Sequence, residues 1–227
     1  MSRFIFILNL YAHPITMNNL DNKVNLLRIN GWTVINSATH ENILSVFQDF
    51  GPVIQTAEVC PKNNARAAVN TVNEMQLHTD HPRARWISWE CIRQSSEGGY
   101  SLLKDTYLAL KNIPLNTLNE LTKVFINTHH KVFNDDLETY PVLRQDGDKS
   151  NWVYYTPWLN KNFGNKALEE FTQEIDKCPL TKICLQPGDI LLIDNGRMLH
   201  GRTAIGGDQN RLLIRRWIAS PFDKFLK

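Results

Sequence analysis

The last fifty residues constrain the fold most, because they carry the clearest β pattern in the chain. The turn Pro187-Gly188-Asp189 precedes an extended apolar run at residues 190–194. Further extended segments follow at residues 197–203 and 211–219, on either side of a polar loop that contains Gly206 and Gly207. β-branched and apolar runs separated by turn residues are typical of strands. We therefore expect this region to form several strands of one β structure.

The rest of the chain adds short strands and a few helices. Strands are predicted at residues 32–35, 53–59, 84–93 and 151–156. Helices are predicted at residues 40–49, 101–111, 116–123 and 165–177. This pattern predicts a mainly β fold, closed or sandwiched, with flanking helices. With no repeat or long linker, residues 1–227 are expected to form a single domain.

Composition narrows the class of protein. The chain is 42% hydrophobic and 21% charged with a net charge of +2, which is typical of a soluble globular protein. The basic residues are scattered, so we expect neither nucleic acid nor an anionic membrane as a partner. The apolar residues 3–10 are too few for a membrane span or a signal peptide. Four cysteines without C-x-x-C spacing favour reduced thiols and a cytoplasmic location.

His78 and Asp80 are the strongest candidates for a metal site. On a strand, residues i and i+2 project to the same face, so an imidazole and a carboxylate could converge on one ion. Two histidines and one carboxylate, with three positions left open, form the site of non-haem Fe(II) oxygenases. His200 is the best candidate for the third ligand, since it lies in an extended segment. Alone, H-x-D is more often two polar residues on a surface strand than a metal site.

Two arginines in the last extended segment predict anionic ligands. A hairpin across residues 206–207 would place Arg211 on the strand beside His200, facing the same interior. A buried arginine is costly unless it meets an anion, and the distal carboxylate of 2-oxoglutarate fits a guanidinium. Arg215 would share that face, roughly 13 Å further along the strand. It could bind an anionic group of the substrate, or it could pair with an internal acid.

Four motifs in this order resemble a known oxygenase family. They are Leu77-His78-Thr79-Asp80-His81-Pro82, Gly98-Gly99-Tyr100-Ser101, Ile193-Asp194-Asn195-Gly196-Arg197-Met198-Leu199-His200-Gly201-Arg202 and Arg211-Leu212-Leu213-Ile214-Arg215. The resemblance is to the TauD/TfdA family, which includes taurine dioxygenase, γ-butyrobetaine hydroxylase and clavaminate synthase-like enzymes. It covers the chain from about residue 70 to its end.

The resemblance implies a double-stranded β-helix, or jelly roll, with Fe(II), 2-oxoglutarate and O2. It implies that His78, Asp80 and His200 hold the iron and act as the catalytic centre. Arg211 would bind 2-oxoglutarate, and the Ser101 hydroxyl would replace that of the family's usual threonine. Arg215 matches a position that often binds the substrate's anionic group.

The implied reaction is the oxidation of a C–H bond coupled to the decarboxylation of 2-oxoglutarate to succinate and CO2. The expected substrate is a small anionic or zwitterionic molecule, such as a free amino acid, a betaine or a specialised-metabolite intermediate. A sulfonate or phosphonate dioxygenase, a desaturase and a cyclase stay open as alternatives. The non-enzyme alternative is a jelly-roll binding protein. Because Asp80 is a carboxylate, no ligand position is vacated for a halide.

Three further residues are candidates for contacts with the substrate. Trp86 shares the parity of His78 and Asp80 and could line the pocket, although core packing also explains it. Asn73 and Glu74 precede the metal motif. The aromatic residues of segment 152–158 could form a cage for a quaternary ammonium by cation–π attraction, or could simply pack in the core.

Overall fold

The computed structural model describes residues 5–6, 25–36, 50–62, 65, 67–128, 132–145, 151–159 and 164–220. In chain order its strands are β1 (Ile5–Phe6), β2 (Trp32–Ile35), β3 (Val53–Val59), β4 (Met75–His78), β5 (Trp86–Arg93), β6 (Glu97–Gly98), β7 (Ser101–Asp105), β8 (Phe125–Asn127), β9 (Thr139–Pro141), β10 (Leu143–Gln145), β11 (Asn151–Val153), β12 (Thr181–Ile183), β13 (Ile190–Asp194), β14 (Met198–Arg202), β15 (Ile205–Gly206) and β16 (Leu212–Ile218). The helices are α1 (Thr106–Leu110), α2 (Leu115–Leu121) and α3 (Lys166–Lys177), and residues 25–30 are also helical.

Two five-stranded sheets form the framework. The first has the order β1-β12-β7-β14-β4 and the second the order β2-β13-β5-β16-β3. Strands that follow one another along the chain, such as β4 and β5 or β13 and β14, lie in different sheets. This alternation is the topology of a jelly roll. The predicted mainly β, double-stranded β-helix is therefore confirmed, and the two sheets face each other without closing into a barrel.

Strand β13 shows why the sequence folds in this way. All five of its residues are buried, and it pairs with β2 on one side and β5 on the other. Leu191 and Ile193 pack in the apolar core that also contains Leu103 and Trp217. Ile190 and Leu192 pack in a separate cluster with Leu27, Ile35, Phe50 and Ile218. A continuous apolar run is typical of a strand that is covered on both faces.

Helix α3 covers a third apolar cluster. Asn165 caps the helix, since its side chain accepts a hydrogen bond from the backbone N–H of Leu168 at 3.1 Å. Leu168, Phe171 and Ile175 are the buried face of this helix, and they pack against the core formed by α1, α2 and the aromatic segment around Tyr154. The helix predicted at residues 165–177 is confirmed.

Several predicted elements need correction. Residues 101–105 form the strand β7, which pairs with β12 and β14, and only residues 106–110 of the predicted helix are helical. The hairpin that would set Arg211 beside His200 is also wrong. Strand β14 pairs with β7 and β4, whereas β16 pairs with β5 and β3 in the opposite sheet. The helix predicted at residues 40–49 lies outside the described residues. Among the described residues, no helix has the length and apolarity needed to cross a membrane.

Candidate metal centre

The two candidate histidine ligands lie opposite each other on neighbouring antiparallel strands. His78 at the end of β4 is the register partner of His200 on β14, and their ring centroids are 4.3 Å apart. Both side chains are buried. The Nδ1 atom of His78 lies 2.8 Å from the carbonyl oxygen of Gln76, so Nδ1 carries the hydrogen and donates it. The Nε2 lone pair of His78 is then free for a metal.

Asp80 completes the cluster from the loop that follows β4. Its Oδ1 atom lies 3.5 Å from Nε2 of His78 and 3.7 Å from Nε2 of His200. One ligand atom from each of the three residues lies within 4.8 Å of the other two. The predicted set His78, Asp80 and His200 therefore converges. Since β4 ends at His78, the convergence comes from the loop rather than from alternation along a strand.

The second oxygen of Asp80 is already held by two donors from β16. Nη1 of Arg215 donates to Oδ2 at 2.9 Å, and Nε1 of Trp217 donates to the same oxygen at 2.7 Å. Arg215 also donates from Nη2 to Oε1 of Gln55 at 3.3 Å. Oδ2 is fixed on the side of β16, and Oδ1 is left facing the two histidines. Such an arrangement favours a carboxylate that binds a metal through one oxygen.

The charges of the three residues suit metal binding. Burial alone would raise the pKa of Asp80, but Arg215 and the two histidines hold it well below its usual value, so the carboxylate is ionised. Burial, together with the neighbouring His78, lowers the pKa of His200 to about 4. His200 is therefore neutral near pH 7, as a metal ligand must be. The donor set of two imidazoles and one carboxylate fits Fe(II).

Asn195 holds the loop that carries Asp80. This side chain is fully buried, and its Oδ1 accepts a hydrogen bond from the backbone N–H of Asp80 at 2.8 Å. Its Nδ2 donates to the carbonyl oxygen of Ala84 at 2.8 Å and lies 3.3 Å from that of His81. Thr79 anchors the other side of the loop, because its Oγ1 accepts from the backbone N–H of Tyr155 at 2.9 Å. The ligand loop is thus fixed before any metal binds.

Replacing Asn195 with alanine is expected to lower the free energy of unfolding by about 2–4 kcal/mol, because the backbone N–H of Asp80 and the carbonyl oxygen of Ala84 lose their hydrogen bonds to this side chain. Urea unfolding of the metal-free protein measures this loss. Asn119→Ala is the matched control, since Asn119 is exposed on α2 and its replacement should change stability by about 0.5 kcal/mol or less. Equal effects of the two variants would show that Asn195 does not anchor the loop.

Trp217→Phe tests the hydrogen bond to Oδ2. Phenylalanine keeps most of the buried ring but removes the indole N–H, so we expect roughly tenfold weaker Fe(II) binding with little loss of stability. Anaerobic metal titration measures the affinity. Trp86→Phe is the matched control, because Trp86 lies on the outer face of the same sheet against Phe50, with ring centroids 5.2 Å apart. Unchanged metal affinity in Trp217→Phe would contradict this role.

A cavity that opens to solvent lies between the two sheets and reaches the metal cluster. Its wall contains all three candidate ligands and Trp89, whose ring centroid is 4.9 Å from that of His200. The remaining lining residues are Val59, Val69, Met75, Ser101, Leu103, Leu191, Gly201, Arg202, Arg211, Leu213 and Arg215. Charged, polar and apolar side chains thus meet in one cavity beside the metal cluster.

Arg211 and Ser101 line this cavity, as their predicted role requires. Arg211 is 4% exposed, and its Nε has no hydrogen-bond partner among the described residues. Burial and the neighbouring Arg202 lower the pKa of Arg211 to about 10. Gly99 leaves room for this side chain, since a Cβ there would lie 2.9 Å from Cδ of Arg211. A buried guanidinium without a protein acid is suited to an anionic ligand.

The structure does not bring the other substrate candidates to the cavity. Trp86 packs against Phe50 on the opposite face of β5 from Trp89, so the parity argument for Trp86 was wrong. That argument failed because the turn at residues 82–85 interrupts the alternation. Asn73 and Glu74 are exposed and do not line the cavity.

The aromatic segment is explained by packing. Trp152, Tyr154 and Tyr155 are buried, and the guanidinium of Arg144 lies 4.2 Å from the ring centroid of Trp152. None of the three lines the cavity. Trp158 is 43% exposed and its ring centroid lies 4.9 Å from that of His78, but Trp158 is not among the residues that line the cavity.

Sequence reasoning missed Trp89, Trp217 and Arg202 as parts of the site. Trp217 has the same parity as Arg211 and Arg215 on β16, and Arg202 has the same parity as His200 on β14. Counting two residues on from Arg215 and from His200, along strands whose side chains alternate, predicts both residues on the cavity face. No pattern in the sequence predicts that Trp217 donates to Asp80, because Asp80 lies in the loop after β4 and Trp217 lies on β16 of the other sheet.

Comparisons with known proteins agree with this site. The family model described as "Taurine catabolism dioxygenase TauD, TfdA family" matches residues 18–217. No curated protein matches the chain by sequence. Among solved structures, asparagine oxygenase in complex with Fe(II), 2S,3S-3-hydroxyasparagine and succinate is similar, with a TM-score of 0.70 and 14% identity over 90% of this chain and 80% of that chain. The non-heme iron oxygenase OrfP in complex with Fe and alpha-ketoglutaric acid has a TM-score of 0.69 and 16% identity over 91% of this chain and 81% of that chain. At these identities the likeness shows a shared fold.

Proposed function

Because the chain belongs to the taurine catabolism dioxygenase TauD, TfdA family, we propose that it is an Fe(II)- and 2-oxoglutarate-dependent dioxygenase that hydroxylates a small carboxylate-bearing substrate. One observation carries this proposal. The cluster of His78, Asp80 and His200, with ligand atoms within 4.8 Å of one another, lines the same cavity as the buried Arg211, whose Nε has no hydrogen-bond partner among the described residues. Metal chelation and an anion site thus meet in one cavity.

Each residue has a distinct task in this reaction. Nε2 of His78, Nε2 of His200 and Oδ1 of Asp80 would hold the iron, while Arg215 and Trp217 restrain Oδ2. Arg211 and Ser101 would bind the distal carboxylate of 2-oxoglutarate. When bound, the iron supplies C–H oxidation by O2, with one oxygen atom entering the product and the other entering succinate as CO2 is released. The apolar side chains of the cavity exclude bulk water from this step.

We place the substrate among free amino acids, betaines and related specialised-metabolite intermediates. Structures of the same fold hold 3-hydroxyasparagine and hydroxylated arginine as ligands, which supports an amino acid. Arg215 lines the cavity and would take the substrate's anionic group through its Nε, which has no hydrogen-bond partner among the described residues. Its other nitrogens are bound to Asp80 and Gln55, so the internal-acid interpretation of Arg215 also holds. A substrate carboxylate would then bind beside an existing ion pair.

A substrate screen tests the proposal. The purified protein is incubated with Fe(II), 2-oxoglutarate and O2, together with pools of amino acids, betaines, sulfonates and phosphonates. Succinate formation and product mass are then measured. We expect a product 16 Da heavier than an amino acid or betaine. A product 2 Da lighter would indicate desaturation or ring closure, and sulfite or phosphite release would indicate the heteroatom alternative. Binding of Fe(II) and 2-oxoglutarate without turnover of any pool would favour a binding protein.

A further inference from the structure

Arg202 is a second buried arginine in the cavity, and the proposed reaction gives it no role. It lies on β14, two residues after the candidate ligand His200 and on the same face of the strand. Its register partner on the neighbouring strand β7 is Ser101. Only 4% of Arg202 is exposed. Arg202, Ser101 and Arg211 therefore all line the cavity of the metal cluster, and Arg202 and Ser101 lie side by side.

The guanidinium of Arg202 is only partly satisfied by the protein. Its Nη2 donates to the backbone carbonyl oxygen of Thr71 at 2.9 Å. Its Nη1 is buried and has no hydrogen-bond partner among the described residues. No carboxylate of a described residue forms an ion pair with Arg202. A buried cation with a neutral partner and one unused nitrogen is energetically unfavourable in the ligand-free protein.

Arg211 is in the same situation and is close enough to Arg202 to be affected by its charge. Its Nε is buried without a partner among the described residues, and the charge of Arg202 adds to burial in lowering the pKa of Arg211. Among the described residues that line the cavity, Asp80 is the only acid, and its carboxylate is bound to Arg215 and faces the histidines. Two neighbouring cations at one end of the cavity thus lack a protein counter-ion among the described residues.

We propose that Arg202 is a second cationic contact for the distal carboxylate of 2-oxoglutarate, which it shares with Arg211. The proposal rests on the proposed function and deepens it. A carboxylate has two oxygens with about four acceptor sites, so it can accept hydrogen bonds from two guanidinium groups at once. One shared anion would satisfy Nη1 of Arg202 and Nε of Arg211 and would reduce the repulsion between the two cations. This end of the cavity then selects keto acids that carry a second carboxylate.

The test compares two keto acids that differ only at the distal end. Binding of 2-oxoglutarate and of 2-oxobutanoate, which lacks the distal carboxylate, is measured by calorimetry on Fe(II)-loaded protein without O2. The variants are Arg202→Gln, Arg202→Lys and the control Arg93→Gln. Arg93 is an exposed arginine that donates to Asn210 at 3.0 Å and lies outside the cavity. Arg93→Gln lowers the net charge by one, as Arg202→Gln does. It therefore measures how much of any change in affinity comes from net charge alone.

We expect the Kd of 2-oxoglutarate to rise about tenfold or more in Arg202→Gln, less in Arg202→Lys, and not in Arg93→Gln. The Kd of 2-oxobutanoate should change less than twofold in all three, which also shows that the variants are folded. If the glutamine variant does not fold, Arg202→Lys alone must still weaken 2-oxoglutarate selectively.

Equal weakening of both keto acids would assign Arg202 a structural role and overturn the proposal. Unchanged 2-oxoglutarate binding in Arg202→Gln would overturn it as well. In either case the wild-type protein still binds 2-oxoglutarate, and the proposed function stands. Failure of the wild-type protein to bind 2-oxoglutarate would instead contradict the proposed function itself.

Discussion

Replacing His200 with alanine is expected to abolish Fe(II)- and 2-oxoglutarate-dependent succinate formation, with turnover lowered by about 10³-fold or more. The reason is the loss of one of three protein ligands, an effect well above the roughly 10–100-fold cost of losing a residue that only supports a ligand. His200 is buried, and its Nε2 faces Asp80 Oδ1 at 3.7 Å. The measurement is the initial rate of succinate formation at saturating Fe(II) and 2-oxoglutarate.

The control is the urea unfolding curve of the metal-free variant, which separates loss of the ligand from loss of the fold. A folded His200→Ala protein without turnover supports the assignment. A folded variant that keeps even a tenth of wild-type turnover would show that His200 does not hold the iron.

The second large effect is expected for Arg211→Leu, and it has two opposite components. The KM for 2-oxoglutarate should rise about 10²-fold or more, since a buried charge pair with the cosubstrate is lost. The ligand-free variant should be at least as stable as wild type, because leucine replaces a buried cation that lacks a hydrogen-bond partner for Nε among the described residues. Steady-state kinetics and urea unfolding measure the two components.

Arg216→Leu is the matched control on the same strand. Arg216 has the opposite parity on β16 from Arg211, and its Nη2 lies 2.8 Å from Oε2 of Glu90. Its removal leaves Glu90 without that partner, so we expect lower stability and an unchanged KM for 2-oxoglutarate. If Arg211→Leu instead destabilised the ligand-free protein and left KM unchanged, Arg211 would be a structural residue like Arg216.

Local patterns predicted much of the framework. The run at residues 190–194 is the strand β13 with the same bounds, and Asn165 caps α3 at the position where the predicted helix begins. Alternation along β16 placed Arg211 and Arg215 in the cavity on the same face as Leu213. These predictions depend on residues close together in the sequence, whose geometry is fixed by the strand or helix itself.

Predictions that depended on strand pairing were weaker. The loop at residues 206–207 joins strands of different sheets. Arg211 therefore enters the cavity from the second sheet, opposite the sheet that carries His200. The turn after Asp80 breaks the alternation, so odd-numbered rather than even-numbered residues of β5 point into the cavity. Trp89 therefore lines the cavity, and Trp86 packs against Phe50 outside it. Neither the order of strands in a sheet nor the effect of an intervening turn can be read from alternation alone.

Ser101 shows the value and the limit of motif comparison. The resemblance predicted its place near Arg211, and the structure places both residues in the wall of one cavity. The local pattern alone had predicted a helix from residue 101, because residues 102–111 are rich in helix-forming side chains. Pairing with β12 and β14 overrides that propensity and turns residues 101–105 into strand β7.

We infer that His78, Asp80 and His200 hold Fe(II) and that 2-oxoglutarate binds this iron in the same cavity. The most direct test is the visible absorption spectrum of the protein during addition of Fe(II) and then 2-oxoglutarate without O2. We predict a charge-transfer band that appears only when both are present, and that is absent in His200→Ala. A wild-type protein that shows no such band, and no binding of 2-oxoglutarate by calorimetry, would contradict the assignment of these residues to an Fe(II) and 2-oxoglutarate site.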